Sequence, residues 1–288
     1  MNPNRRRAPR QRPQPRATTQ KPAARRVLLT KGQSATKRRP AEAHSASERV
    51  RLHKAIAAAG ISSRRQAEAL IRSGRVSVNG HVVREMGVQV DPGHDEIRVN
   101  GQILQAAQKH TYLMLHKPGH VVTTVSDPEG RQTVMDFIPR ERRLFPVGRL
   151  DFDSEGLVLL TDDGALANRL MHPRYEHERE YIVLAKGRVA NEAIDRLRAG
   201  VDLDEGRTAP ARVQLIEHVT GDTRLRIVLR EGRKRQIRQM LKKVGHPVKR
   251  LVRVRIGSLL LGDLPVGQWR TLTPHEVRQL KRGVESRA

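Results

Sequence analysis

The chain has no cysteine in its 288 residues. That absence excludes disulfides, cysteine-ligated zinc and a thiolate nucleophile. It also excludes any RNA-modifying chemistry that attacks C6 of uracil through a cysteine. Aromatic residues make up 2% of the chain, too few for recognition by broad stacking platforms. Tyr112, Tyr175, Tyr181, Phe145, Phe152 and Trp269 gain interest in proportion. No apolar run approaches the roughly 20 residues that span a bilayer, and no signal-type apolar region follows the N-terminus. The histidines lack the HExxH zinc spacing, and no GxGxxG or P-loop follows a strand, so neither a metal nor a nucleotide cofactor is expected. Acids are the minority charge: 30 Asp and Glu stand against 56 Lys and Arg, for a net charge of +26. Such an excess favours a nucleic-acid partner over an anionic membrane surface. A cytoplasmic monomer with no membrane partner is the expectation.

Residues 1–46 are rich in Arg, Pro, Gln and Ala, with Glu42 as the single acid. They have no apolar periodicity able to bury a core, and a disordered basic tail is expected there. Its functional reading is an electrostatic arm for RNA. An organellar transit peptide shares the acid-poor bias, but the many prolines oppose the amphipathic helix it needs.

Residues 49–106 read as a small basic module. Leu52, Ile56 and Ala59 recur at helical spacing before Gly60. Ser63 and Gln66 form a capping-box pattern that opens a second helix, with Ala67, Leu70 and Ile71 on its apolar face and Gly74 beyond its end. Short strands are predicted at Val76–Val78, Val82–Val83, Val88–Val90 and Ile97–Val99, with hairpin-type turns at Asn79-Gly80 and Asn100-Gly101. Arg51, His53, Lys54, Arg64 and Arg65 gather near the helix junction.

A linker is expected at 105–110, followed by a larger mixed region over 111–285. Strands are predicted at Tyr112–Leu115, Leu157–Thr161, Tyr181–Ala185 and Leu225–Leu229. The segment Asp162-Asp163-Gly164 turns into a helix, and a second helix over Gln236–Val244 buries Ile237, Met240, Leu241 and Val244.

Three constellations carry candidate chemistry. In Gly148-Arg149-Leu150-Asp151, Arg149 and Asp151 would share a side if the segment were extended. The run from Asp151 to Asp162 partly mimics a calcium loop, but a β-rich stretch falls inside it and its last position is Asp rather than Glu. Asp153, Glu155, Asp162 and Asp163 read as turn and cap residues. Tyr181, taken alone, reads as a core aromatic whose hydroxyl finds a partner. In Glu231–Met240, a helical wheel puts Lys234, Arg235, Arg238 and Lys242 on one side. Arg238 lies at the edge of the apolar stripe, where a charge should seek a carboxylate. The other basic residues there, Arg235 among them, suit phosphate.

Arg51-Leu52-His53-Lys54, the run Gly60 to Ala67 and the run Gly74 to Gly80 together resemble an S4 RNA-binding domain. The markers of the larger region are His116-Lys117-Pro118-Gly119, Asp127-Pro128-Glu129-Gly130-Arg131, Gly148 to Gly164, Ala167 to Pro173, Glu178-Arg179-Glu180-Tyr181 and Glu231 to Met240. In order and spacing they resemble the RsuA/RluB/RluE/RluF family of pseudouridine synthases, most closely the large-subunit ribosomal RNA enzymes of the RluB type, with Thr273-Pro274-His275-Glu276-Val277 adding to that.

The resemblance implies an α+β chain: an S4 domain followed by a mixed α/β catalytic domain with a mainly antiparallel sheet. It implies cofactor-free isomerisation of a uridine in 23S ribosomal RNA. It places the essential aspartate on Asp151, as nucleophile or base. Arg238 falls on the basic partner of that aspartate, and Tyr181 on the tyrosine under the uracil. Arg149 falls on the arginine that enters the space left by the base. The helix pair with Arg51, His53, Lys54, Arg64 and Arg65 is implied to dock structured RNA. Small-subunit or transfer RNA is the alternative substrate, and a non-catalytic ribosome-assembly factor the alternative class.

Overall fold

The computed structural model describes residues 49–105 and 109–285. The expected tail at 1–46 and residues 106–108 of the expected linker lie outside the described residues.

The small module is built as its turn chemistry dictates. Helix α1 (Leu52–Ala58) ends before Gly60 at φ 79°, and α2 (Arg64–Arg72) opens on a full Ser63/Gln66 capping box. In that box the Ser63 and Gln66 side chains each accept a hydrogen bond from the other residue's backbone N–H, which satisfies two helix-end donors at once. Four short antiparallel strands follow: β1 (Val76–Val78), β2 (His81–Val82), β3 (Ile97–Val99) and β4 (Gln102–Ile103), in the order β2-β1-β3-β4. Both hairpins turn on an Asn-Gly pair with positive φ at each residue, the geometry that matches strand twist. Leu52, Ile56, Ala67, Ile71, Val76, Ile97 and Val99 bury against one another as this module's own core.

The larger region is organised by one twisted sheet. Its path is β8 (Arg212–Val219), β9 (Asp222–Leu229), β7 (Arg179–Lys186), β10 (Val248–Ile256), β6 (Glu155–Thr161), β5 (Tyr112–Lys117) and β11 (Trp269–Thr271). The β10–β6 pairing is parallel and the other pairings along this path are antiparallel. The mainly antiparallel sheet expected from the resemblance is present. Strand β7 is central, as its two-faced apolar run implied.

Three apolar clusters fix the layers. Helices α4 (Asn191–Ala199) and α5 (Gln236–Lys243) send Ile194, Leu197, Ile237, Met240 and Leu241 onto Val183, Leu225, Ile227 and Leu251. Helices α3 (Gly164–Met171) and α6 (Pro274–Glu285) cover Met114, Leu157 and Leu159. The opposite face of β5 and β6 carries Leu113, Leu115, Val158 and Leu160, and packs on Val121, Val134, Leu144 and Leu150. Asp163 caps α3 by accepting from the N–H groups of Ala165 and Leu166, the cap role expected of it. Among the described residues no helix is long and apolar enough to cross a membrane.

Candidate active site

Asp151 sits on a turn that is held from beneath. Gly148 enters it at φ 74°, and the buried Leu150 anchors it on Leu115, Val158 and Leu160. The segment is not a strand, the condition under which Arg149 and Asp151 would share a side. Leu150 points into the core while Arg149 is exposed and Asp151 half-buried. Thr123 fixes both backbone groups of Leu150: its hydroxyl donates to Leu150 O at 2.8 Å and accepts the Leu150 N–H at 3.2 Å. The Ser154 N–H then donates to Asp151 O at 3.1 Å, leaving Phe152 and Asp153 at the corners of the turn.

Lys117 sits under this turn. Its ammonium donates to Ser154 O at 2.6 Å, Pro118 O at 2.8 Å and Phe152 O at 3.4 Å. The side chain is fully buried with no carboxylate within ion-pair distance among the described residues. Burial pushes its pKa down to about 8, with Asp153, Glu155 and Asp151 acting against the shift.

The cation that the resemblance implied for Asp151 is found on its neighbour. Arg238, on α5, donates through Nη2 to Asp153 O at 2.9 Å and lies 3.3 Å from the Asp153 carboxylate. Arg235 closes on the same carboxylate in a two-pronged pair, at 3.0 and 2.8 Å. Burial alone would raise the Asp153 carboxyl. The Arg235 hydrogen bonds and the Arg238 charge outweigh it and hold the pKa below the usual carboxylate value. Arg238 is itself largely buried, and burial lowers its pKa while Asp153 and Asp151 oppose. Arg238 does seek a carboxylate, as its place at the stripe edge implied, but that carboxylate is Asp153. The wheel placement of Lys234 and Arg235 also fails. The helix begins at Gln236, and Arg235 precedes it in a left-handed conformation at φ 51°. Its guanidinium is tied to Asp153 rather than standing free for phosphate. Asp153 is therefore more than the turn residue expected from sequence.

The carboxylate of Asp151 makes no hydrogen bond or ion pair among the described residues. Lys117, Arg235 and Arg238 are nonetheless close enough to feel its charge. Tyr181, on β7, packs where two apolar clusters meet and touches the cluster that holds Leu150. Its partner across the strands is Arg253 of β10. Arg253 is 2% exposed. Its Nε donates to Leu157 O at 2.9 Å and its Nη1 to Arg149 O at 3.4 Å. Burial holds its pKa below the ordinary arginine value, and the neighbouring Tyr181 phenol opposes that shift. Thus Asp151, Arg149, Tyr181 and Arg238 converge, linked through Leu150, Asp153 and Arg253.

The small-module residues form a separate group. None of Arg51, His53, Lys54, Arg64 or Arg65 is hydrogen-bonded or ion-paired to that cluster among the described residues. Lys54, Arg64 and Arg65 are exposed and His53 is half-buried. The Arg51 guanidinium is committed to the Gly87 carbonyl. The opening of α2 abuts the catalytic region: Arg143 donates to Gln66 Oε1 at 3.3 Å, and the Arg64 guanidinium lies over Gly164.

Sequence reasoning missed Lys117, Asp153 and Arg253 as parts of the site. A signal existed for Arg253. Arg253 has the same parity as the buried Leu251 on β10, so period-two alternation places it on the core face.

Residues 111–243 match the sequence profile of a family described as RNA pseudouridylate synthase, and residues 50–97 that of the S4 domain. A Bacillus subtilis protein named ribosomal large subunit pseudouridine synthase B is 44% identical over 234 residues, spanning 80% of this chain and 95% of that protein. An Aquifex aeolicus protein named as an uncharacterized RNA pseudouridine synthase is 42% identical over 237 residues, spanning 82% of this chain and 95% of that protein. A crystal structure of a pseudouridylate synthase is similar at a TM-score of 0.58 and 31% identity, over 80% of this chain and 99% of that one.

Proposed function

The chain belongs to the RNA pseudouridylate synthase family, and from that premise we propose that it isomerises a specific uridine of large-subunit (23S) ribosomal RNA to pseudouridine. The name of the Bacillus subtilis relative supports the choice of RNA. The observation that carries the chemistry is a carboxylate with no hydrogen-bond or ion-pair partner among the described residues, Asp151, held on a clamped turn within electrostatic reach of Lys117, Arg235 and Arg238, while Tyr181 packs against the apolar cluster that holds Leu150.

In the reaction the N1–C1′ bond breaks, the base turns, C5 bonds to C1′, the C5 proton leaves and N1 takes up a proton, so that product and substrate are isomers. Asp151 opens it, either by attacking C1′ or by removing a sugar proton. Both roles need an ionised carboxylate whose lone pairs are not taken up by other hydrogen bonds. Tyr181 supports the uracil ring and handles the C5 proton. Arg149 fills the space vacated by the extruded base, which offsets part of the few kcal/mol that extrusion costs. No cofactor is required. The S4 helix pair, with Arg51, His53, Lys54, Arg64 and Arg65, docks the surrounding RNA through phosphate contacts. In this reading the chain acts as a monomer in the cytoplasm.

Tritium release from C5-labelled uridine in large-subunit RNA tests the reading. Asp151→Asn should abolish release while leaving RNA affinity within about twofold, since only the reacting group is lost. Undiminished release by the variant would overturn the assignment. Mapping pseudouridine in RNA from a deletion strain identifies the substrate, and a missing modification in small-subunit or transfer RNA would move the activity there.

A further inference from the structure

Phe152 is the residue at the site that the proposed chemistry does not use. It occupies a corner of the turn between Asp151 and Asp153 and is 44% exposed. Phe, Tyr and Trp number seven in this chain. Tyr112 and Tyr175 are buried, Phe137, Phe145 and Tyr181 are half-buried, and Trp269, on β11, is the other exposed one. A single exposed apolar side chain is ordinary on a protein surface. Three features set this one apart.

The first is its address, immediately beside Asp151. The second is rigidity: the Phe152 carbonyl accepts the His120 N–H at 2.7 Å and the Lys117 ammonium at 3.4 Å, so the backbone beneath the ring is pinned from two sides. The third is the support of the ring. His120 stands edge-on to it, with ring centroids 5.4 Å apart and planes at 75°. His120 holds that position in a left-handed conformation at φ 59°, which residues with a side chain rarely adopt. Both rings are exposed.

We infer that Phe152, backed by His120, forms a stacking ledge for the nucleobase next to the target uridine in the bound RNA. This rests on the reading of Asp151 as the reacting group. Taking the uridine out of its stack strips one face from its neighbour. An exposed ring beside Asp151 restores that face without reading hydrogen-bond edges, because every base has a π-face. The ligand class is therefore any nucleobase in an opened strand. The ledge adds affinity for the opened conformation and leaves recognition of the surrounding helix to the basic surfaces.

The test has a kinetic arm and an optical arm. Phe152→Leu keeps apolar bulk but removes the ring. It should lower kcat/KM for tritium release from large-subunit RNA about tenfold, and Phe152→Tyr should recover most of that loss. The chain has one tryptophan, so Phe152→Trp in a Trp269→Phe background carries a single indole. Its emission should be quenched on adding a large-subunit RNA transcript and unchanged on adding a fully paired duplex. Wild-type kinetics in Phe152→Leu, or an unquenched indole while filter retention shows RNA bound, would overturn the ledge and leave the proposed function standing. No retention and no release by the wild-type chain would remove both.

Discussion

Arg238 reaches Asp153, not Asp151: its Nη2 lies 3.3 Å from the Asp153 carboxylate and 2.9 Å from the Asp153 carbonyl. One carboxylate therefore pairs with two arginines, and Asp151, two residues earlier, keeps its lone pairs free. Replacing Asp153 by Asn should release Arg235 and leave Arg238 half-buried without its counterion. Losing charge-assisted hydrogen bonds at this partly exposed site should cost about 2 kcal/mol in urea unfolding. Tritium release should fall with it, since Arg238 would then turn to Asp151. The carboxyl of Asp153 is held below its ordinary value, so its contribution is present above about pH 4 and disappears as pH falls through the lower folded-state value. An Asp153→Asn variant as stable as the wild type at neutral pH would show that the pairs contribute nothing.

Arg253 should behave differently, because its charge has no carboxylate to lose. Replacing a buried ion by an apolar side chain of similar length is often neutral for stability. Arg253→Met should therefore fold with a Tm within a few degrees of wild type. It also removes the donor to Arg149 O and the group beside Tyr181. We expect kcat to fall about tenfold with RNA affinity within about twofold, and Arg253→Lys to fall between. Equal losses in kcat and RNA binding would point to a general collapse of the site.

Lys117 gives a pH signature. Its folded pKa is about 8, whereas an unfolded lysine titrates near 10.4. Between those values the unfolded chain binds more protons than the folded one, so this group's contribution to stability rises with pH. The Tm difference between wild type and Lys117→Gln should shift in favour of the wild type from about pH 7 to about pH 9.5. A shift in the opposite direction would mean that the buried ammonium is not destabilised by its surroundings.

Gly156 sets the tightest backbone approach at the site. It has φ 111° and pairs with Arg253 across the parallel seam, where a Cβ would stand 2.5 Å from the Arg253 nitrogen. Gly156→Ala should cost more than about 3 kcal/mol, read from the urea midpoint. Gly101→Ala is the control: φ is 80° but no atom lies within 4 Å, so the penalty there should stay near about 1 kcal/mol.

The basic N-terminal segment makes a prediction from charge alone. Deleting residues 1–46 should flatten the dependence of RNA affinity on salt, because fewer cations would displace counterions from phosphate. A filter-binding series with an unchanged slope would show that the segment does not touch RNA.

Local signals in the sequence were enough to place most of the elements. The Ser63/Gln66 box, the Asn-Gly turns and the buried stripe of Ile237, Met240 and Leu241 are written in neighbouring residues and appear as expected. The candidate site was legible residue by residue, but its pairing was not. Asp151 and Asp153 both lie near α5 in sequence-independent space, and spacing along the chain cannot say which one receives Arg238. The start of α5 at Gln236 appears as expected, but Lys234 and Arg235, good helix formers grouped with it on the wheel, lie outside it. Tertiary pairing with Asp153 holds Arg235 outside the helix in a left-handed conformation. Lys117 was passed over because a lysine reads as surface, and only the carbonyls of a distant turn make its burial tolerable.

The parallel pairing of β6 with β10 has a consequence for how the protein comes into being. Parallel neighbours need a crossover connection, and here the hydrogen bond from Arg253 to Leu157 closes a separation of 96 residues. During synthesis the Asp151 turn is made before Tyr181, and well before Arg238 and Arg253. Contacts of such range form late and at high entropic cost. A C-terminally truncated chain that lacks α5 and β10 thus holds the carboxylate without Arg235, Arg238 and Arg253, and the set is complete only once β10 docks beside β6.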